Sequence, residues 1–316
     1  MMRELFRLPV LDLPIYGYGL MLVIGLLAGM FLAANMARRV GLNPDHFVNA
    51  AILAIVSGIV GARISHVLEN LSVYTSPNRS AWDNFLAAIN IRAGGLTYYG
   101  GFLLAFPTLV LYARWKKIPV PIGMDIVAPA LMIGLGFGRI GCLLNGCCWG
   151  QTCDLPWAVT FPFGSYVYLD EYENNQRTPP PQLMQPALPG EARPPLVSEQ
   201  RLKADPTLRQ LAAAERSNPR HPTQLYSFVM AMLVAAVTFT FFWMPHAPGR
   251  GFALMLVLEG AARFVIESLR VEPTVLGRLS YSMVISSGLV ALGVILWIVF
   301  GRRPVGTSPA LRPSPV

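Results

Sequence analysis

The sequence predicts an all-α polytopic membrane protein: about seven transmembrane helices, a water-exposed head made from one insertion, and an arm helix lying in the membrane interface. Three observations predict it. Of 316 residues, 53% are hydrophobic and only 13% are charged, with a mean hydropathy of +0.47. A soluble domain carries about 25% charged residues, so this chain has too little polar surface to coat a water-soluble globule. Disorder, collagen-like repeats and an ordinary cytosolic enzyme are excluded on the same ground. The second observation is seven apolar windows, near 15–37, 46–68, 97–114, 122–144, 223–244, 251–269 and 281–301. Each is close to the ~20 residues that cross a bilayer as a helix. The third is a net charge of +8 with a pI of about 9.6, whose basic residues sit mostly beside those windows. That placement points to an anionic membrane surface and not to nucleic acid.

The first window is too long for a cleaved signal peptide and ends in Arg38 and Arg39, a stop-transfer pattern. The second and sixth are the weakest, being interrupted by Arg63 and His66, and by Glu259, Arg263 and Glu267. Placing the N-terminus outside puts Arg38/Arg39, Arg114/Lys116/Lys117, Arg250 and Arg302/Arg303 in the cytoplasm, as the positive-inside rule favours. Arg3 and Arg7 oppose this mildly. The stretch 81–91 (AWDNFLAAINI) has apolar residues at helical spacing but is too short to span, and is read as the interfacial arm. Residues 164–220 hold seven acidic and seven basic residues, with Pro179-Pro180-Pro181 and Pro194-Pro195. They read as an insertion, loop-like at first and helical near 206–216 after Asp205-Pro206. The chain therefore divides into 1–163 (four spans and the arm), 164–220 (head), 221–303 (three spans) and a 304–316 tail. No internal repeat is visible.

Charges inside apolar windows carry the functional signal. An arginine near the bilayer centre costs about 2.5–3.5 kcal/mol on insertion scales, so it is normally paired or put to use. The candidates are Arg63, Arg139, Arg263, Glu267 and Arg270, with Asp125 and Glu259 behind them. Arg263, Glu267 and Arg270 share one helix face. They read either as a structural ion-pair ladder or as an anion cavity, for which the excess of arginine and the bidentate guanidinium fork suit phosphate. The glycine pairs Gly94-Gly95 and Gly100-Gly101 bracket Leu96-Thr97-Tyr98-Tyr99. They allow close helix approach, or a lipid sliding between helices.

The run from Gly138 to Gly150 (GRIGCLLNGCCWG) resembles the signature of bacterial prolipoprotein diacylglyceryl transferases. The resemblance extends to Tyr16-Gly17-Tyr18-Gly19-Leu20-Met21, Gly61-Ala62-Arg63, the double-glycine motif at 94–101, and Asp154-Leu155-Pro156-Trp157-Ala158. His221-Pro222-Thr223-Gln224-Leu225-Tyr226 and Arg263 through Arg270 complete it, in the family's order. It implies a seven-helix enzyme of the bacterial inner membrane with a periplasmic head, N-terminus outside and C-terminus cytoplasmic. Such an enzyme moves the diacylglyceryl group of phosphatidylglycerol to the lipobox cysteine thiol of a lipoprotein precursor and releases glycerol phosphate. The resemblance gives Arg139, Arg263, Tyr99 and Glu267 catalytic roles. It gives Arg139, Tyr18, Gly100, Gly101, Arg270, His221 and Arg63 contacts to phosphatidylglycerol. No cofactor and no nucleic-acid partner are expected, and a monomer is expected because nothing in the sequence demands an oligomer.

Four positions depart from the family pattern: Tyr99 replaces its histidine, Cys142 its asparagine, Cys147 an acidic residue, and Glu259 a tyrosine. A phenol is a poor base at neutral pH unless arginines lower its pKa, so Tyr99 is read both as a catalyst and as a hydrogen-bonding orienter. The same arginines would also suit an anion or lipid transporter, and the missing histidine an inactive lipid-binding paralogue. Cys142, Cys147, Cys148 and Cys153 crowd together, but a doublet at a helix end is poor spacing for a tetrahedral metal site. Packing, or one disulfide from Cys147 or Cys148 to Cys153, is expected there, and no metal.

Overall fold

The computed structural model describes residues 4–8, 13–75, 80–91, 94–95, 97–186, 193–271, 274–277, 279–302 and 304. The side chains of residues 4–8, 13–15, 98, 99 and 274–276 lie outside that description. Helix dominates, in line with the sequence. An antiparallel hairpin, β1 (Glu4–Leu8) with β2 (Leu13–Tyr16), precedes α1 (Gly17–Arg39). Then come α2 (Pro44–Glu69), α3 (Leu71–Tyr74), α4 (Ala81–Ile89), α5 (Tyr98–Trp115) and α6 (Val120–Asn145). The short helices α7 (Tyr166–Glu173), α8 (Glu199–Ala204) and α9 (Pro206–Ala214) follow. The chain closes with α10 (Thr223–Phe242), α11 (Arg250–Glu267), a second hairpin of β3 (Thr274–Leu276) with β4 (Leu279–Ser280), and α12 (Tyr281–Gly301). Neither hairpin was expected from the sequence.

Five of these helices, α1, α2, α6, α10 and α12, are long and apolar enough to cross a membrane. The second window, expected to be weak, is among them: Arg63 and His66 are diluted in a 26-residue helix. The third window instead falls short, since α5 has 18 residues and spends them on Tyr98-Tyr99-Gly100-Gly101, Pro107 and Arg114. In α11, as expected, Arg250, Glu259, Arg263 and Glu267 interrupt the apolar run. Large apolar side chains such as Leu22, Phe31, Leu103, Leu111 and Val265 stay exposed on these helices. Backbone polar groups satisfied within each helix and apolar side chains facing outward are what hydrocarbon requires.

The chain forms two compact units. One comprises residues 29–130, 238–252 and 296–316. Its core packs Ala33, Met36 and Ala37 of α1, with Val40 just beyond it, against Phe47, Ile126 and Phe242. Asp125 is buried and works as a cap supplied by a different helix. Its Oδ2 accepts the Gly249 N–H at 2.7 Å, and its Oδ1 accepts the Phe252 N–H at 2.9 Å, satisfying donors at the start of α11. His246 Nε2 lies 3.3 Å from the same carboxylate. In this unit α2 and α5 meet at glycines: a Cβ added at Gly100 would collide with Ser65 Cβ and the Gly61 carbonyl. The arm is α4, opened by a Ser80–Asp83 capping pair and exposing Trp82, Phe85, Leu86 and Ile89 on one face.

The other unit comprises residues 1–28, 131–237 and 253–295. It contains the insertion, which is more ordered than its prolines suggest. Helix α7 stands where a loop was expected, and Val167, Tyr168, Tyr172, Leu183, Val197 and Ala212 are buried there. Glu171 is fully buried and satisfied: Arg220 Nε reaches Oε1 at 2.9 Å, and the Asn218 N–H donates to both oxygens. Burying that ion pair is tolerable only because its remaining hydrogen-bonding capacity is filled in this way. Arg220 Nη1 also donates to the Gly150 carbonyl at 3.2 Å, tying the insertion's end to the signature run.

Candidate active site

The site is built around the turn that ends α6. Asn145 is the last helical residue, and Gly146 (φ 72°) then reverses the chain. Cys148 adopts φ 61°, a left-handed conformation that costs a non-glycine residue free energy. Helix α10 clamps this shape at its buried N-terminus: Thr223 Oγ1 donates to the Cys148 carbonyl at 2.8 Å, and Gln224 Nε2 to the Cys147 carbonyl at 2.6 Å. The Cys147 N–H donates back to the Cys142 carbonyl at 3.1 Å. Gly150 is pressed against His221, where an added Cβ would lie 2.6 Å from the histidine Cβ, and its N–H donates to the His221 carbonyl. The signature run and the His221–Tyr226 motif thus form one locked unit.

Beside the turn is a pocket lined by Arg139, Arg263, Arg270, Glu259, Glu267 and Cys148, among others. Glu267 is buried, bound by Arg270 Nη1 at 3.0 Å and by the Ser280 hydroxyl at 3.3 Å. Its negative charge is consumed by that pair. Glu259 lies within electrostatic range of Arg139 and Arg263. Arg263 Nε is buried and has no hydrogen-bond partner among the described residues. Three guanidiniums against two carboxylates, one of them already paired, leave a pocket that favours an anion. Hydrogen bonds from the Cys142 and Cys147 thiols, with Arg270 and Arg139 nearby, pull the Cys148 thiol below its ordinary range against the opposing effect of burial.

The structure gathers Arg139, Arg263, Glu267 and Arg270 as the sequence suggested. Tyr18 packs against Gly141, its ring 3.0 Å from where a Cβ there would sit, and lies within electrostatic range of Arg139 and the thiols. His221 does not line the pocket; its Nδ1 faces the Tyr226 hydroxyl at 3.4 Å, which accepts a hydrogen bond from Trp157 Nε1. The Tyr99 side chain lies outside the described residues. One expectation needs correction, and two pairs of alternatives narrow. Arg63 was assigned to the lipid, yet its guanidinium is spent on four backbone carbonyls, those of Ala87, Ala88, Gly94 and Gly95, at 2.6 to 2.9 Å. Gly100 and Gly101 press against α2, so their lack of a side chain serves helix packing. All four cysteines are free thiols, so neither Cys147 nor Cys148 is bonded to Cys153.

The clamps Thr223 and Gln224 were missed as positioning residues, and so was Cys148 as a pocket wall. The sequence signal was there: Thr and Gln at fixed places in the His221–Tyr226 motif, at a helix N-terminus. What it lacked was the partner, some 75 residues earlier.

Comparison with known proteins bears on the same residues. The chain is 27% identical over 293 residues to the phosphatidylglycerol–prolipoprotein diacylglyceryl transferase of Clostridium tetani, covering 91% of this chain and 92% of that protein. It is 28% identical over 297 residues to that of Geobacter sulfurreducens, covering 92% of each. With that of Corynebacterium glutamicum it shares 27% over 309 residues, covering 96% and 85%. The family model described as prolipoprotein diacylglyceryl transferase matches residues 4–299, from the first hairpin to the last helix, and the chain belongs to that family.

Proposed function

We propose that this chain transfers the diacylglyceryl group of phosphatidylglycerol to the lipobox cysteine thiol of lipoprotein precursors. The observation that carries the reading is the pocket of three guanidiniums set among apolar helices, with a buried Arg263 Nε that no described residue satisfies. In this reaction the thiol sulfur displaces phosphate from the glyceryl carbon. A C–S bond forms as the S–H proton is lost to solvent, the C–O bond breaks, and its electron pair leaves with glycerol phosphate. The phosphate gains a full negative charge as that bond breaks, so arginines placed around it bind the transition state more strongly than the lipid. Arg139 and Arg263 take that role, and Arg270, held by Glu267, orients the headgroup. Tyr18 contacts the lipid, and Tyr99 serves near the acceptor. His221 acts through the turn it braces.

The same reading sets seven spans, with α5 and α11 completing the five longer helices, in the bacterial inner membrane. Residues 1–163 and 221–303 are its membrane parts, 164–220 the periplasmic head and 304–316 the cytoplasmic tail. The basic ends support that orientation: Lys116 lies over Trp115, Arg250 over Trp297 and Arg39 over Trp243, at 4.0, 4.8 and 5.8 Å, as in an interfacial belt. The exposed apolar face of α4 supports an interfacial arm. A monomer suffices, because every group invoked comes from one chain. The test is mass spectrometry of a lipobox peptide incubated with phosphatidylglycerol and purified protein. A diacylglyceryl thioether is expected; lipid binding or transport without that product would overturn the reading.

A further inference from the structure

We infer that Cys142, Cys147 and Cys148 form a three-thiolate site for a thiophilic divalent cation, Zn²⁺, whose fourth position takes the acceptor thiol. The sulfur atoms of these three residues all lie within 4.8 Å of one another. Tetrahedral zinc with Zn–S bonds of about 2.3 Å needs sulfurs about 3.8 Å apart, so modest inward rotation of the thiols closes the shell. The sequence argued against a metal because an adjacent Cys147-Cys148 doublet spreads its side chains. The turn removes that objection: Gly146 and Cys148 take positive φ and fold both thiols back over Cys142. Two buried side chains, Thr223 and Gln224, hold the strained turn by its carbonyls, which fixes the backbone that carries the Cys147 and Cys148 thiols. An odd number of clustered thiols cannot be consumed in disulfides among themselves, and Cys153 stands outside the group.

Charge is consistent with this. Three thiolates and Zn²⁺ sum to −1, which Arg139 and Arg270, both acting electrostatically on Cys148, offset. Among the described residues no fourth Cys, His, Asp or Glu joins the three, the pattern of a zinc site that keeps one position for substrate. Cys148 is also a wall of the arginine pocket, so that position neighbours the phosphate site. The role rests on the transferase reading. The acceptor S–H would give its proton to solvent as its sulfur binds zinc, because a coordinated thiol is held as thiolate. That thiolate would attack the glyceryl carbon, supplying the nucleophile without a histidine base.

The test begins with the full-length protein in detergent, reduced anaerobically and stripped of metal. Titration with Zn²⁺ should saturate at one ion per chain, and Co²⁺ should give thiolate charge-transfer absorption with tetrahedral d–d bands. Cys142→Ser, Cys147→Ser and Cys148→Ser should each weaken binding at least tenfold, while Cys153→Ser should not. Wild-type protein that shows no saturable binding or no thiolate–cobalt band overturns the site without recourse to any variant. A lipobox peptide added to the Co²⁺ form should shift its bands, and its Cys→Ser counterpart should not. Bands unmoved by the thiol peptide overturn the role of the fourth position. Metal-free protein that still makes the thioether overturns the inference and leaves the transferase reading standing. A metal-loaded protein that makes none leaves the site and overturns that reading.

Discussion

Arg63 and the pocket arginines are the same residue type in or beside the long helices, yet their surroundings differ. Arg63 is buried, its guanidinium saturated by four backbone carbonyls and stacked on Tyr74 at 5.2 Å. Two of those carbonyls, from Ala87 and Ala88, are among the unpaired last ones of α4, so Arg63 acts as a C-cap from another helix. In the pocket that Arg139, Arg263 and Arg270 line, Arg263 Nε is buried with no hydrogen-bond partner among the described residues. A desolvated guanidinium must be satisfied by something. Where the fold provides every acceptor, as at Arg63, the arginine builds structure; a buried donor such as Arg263 Nε, unmatched among the described residues, is open to an acceptor from outside.

The largest expected effect tests the second half of that contrast. Arg139→Lys keeps the charge but loses the bidentate fork. Turnover should fall about a hundredfold or more, ~2.7 kcal/mol of transition-state stabilisation, the scale of losing one preorganised donor. Lipid binding should weaken far less, and the melting temperature should hold. A variant that melts early while its folded fraction turns over normally would move Arg139 into the class of Arg63. For Arg63→Met the expectation is reversed. Four carbonyls lose a charged donor at about 1 kcal/mol or more each, so stability should drop by roughly 4 kcal/mol, read as a lower melting temperature. Activity per folded molecule should stay within about threefold, since headgroup stabilisation resides elsewhere. A stable but inactive Arg63→Met would restore Arg63 to the lipid site.

The glycines sharpen the comparison on a smaller scale. Gly100→Ala forces a Cβ against Ser65 and the Gly61 carbonyl, so α2 and α5 must part, at about 1–3 kcal/mol. Gly58→Ala, where nothing lies within 4 Å, should be neutral or stabilise by up to ~1 kcal/mol through helix propensity. Equal thermal behaviour of the two, with lipid binding lost only in Gly100→Ala, would favour a sliding lipid over a helix contact.

Much of this was legible in the sequence, for identifiable reasons. Windows such as 15–37 announce helices because hydrocarbon permits few other spanning structures. Arg139, Arg263, Glu267 and Arg270 announced themselves because charge in an apolar run is costly. Arg263 and Glu267 lie one turn apart on α11, and Arg270 follows three residues beyond its end, so short sequence separation gathered these three. What stayed hidden depends on pairing across long separations. Arg63 looked like the others because its carbonyl acceptors lie 24 to 32 residues away, and a backbone carbonyl leaves no mark in sequence. The closeness of the three thiols was hidden because spacing assumes ordinary φ, whereas Cys148 adopts 61°. The insertion's α7 was missed because its burial rests on Glu171 finding Arg220, 49 residues on.

The smallest effect concerns a third charged site, satisfied like that of Arg63 but able to titrate. His246 lies outside the spans, its Nδ1 2.7 Å from the Met244 carbonyl and its Nε2 3.3 Å from Asp125. Burial pushes its pKa down, as Arg250 does weakly, but the bonds to Asp125 and Met244 outweigh them and hold it above the ordinary value. The folded protein therefore binds this proton more tightly than the unfolded chain does. Its contribution to stability is fully present below the ordinary histidine pKa of about 6.5 and is lost as pH climbs through the higher folded value. Melting temperature should fall between about pH 6 and pH 8, and His246→Gln should flatten that slope. Asp125 would keep its bonds to the Gly249 and Phe252 N–H groups in that variant, so α11 should remain capped. A wild-type melting temperature that rises across the window would mean that burial wins and that His246 is held neutral. Asp125 would then be a backbone cap alone, closer in kind to Arg63 than to an ion pair.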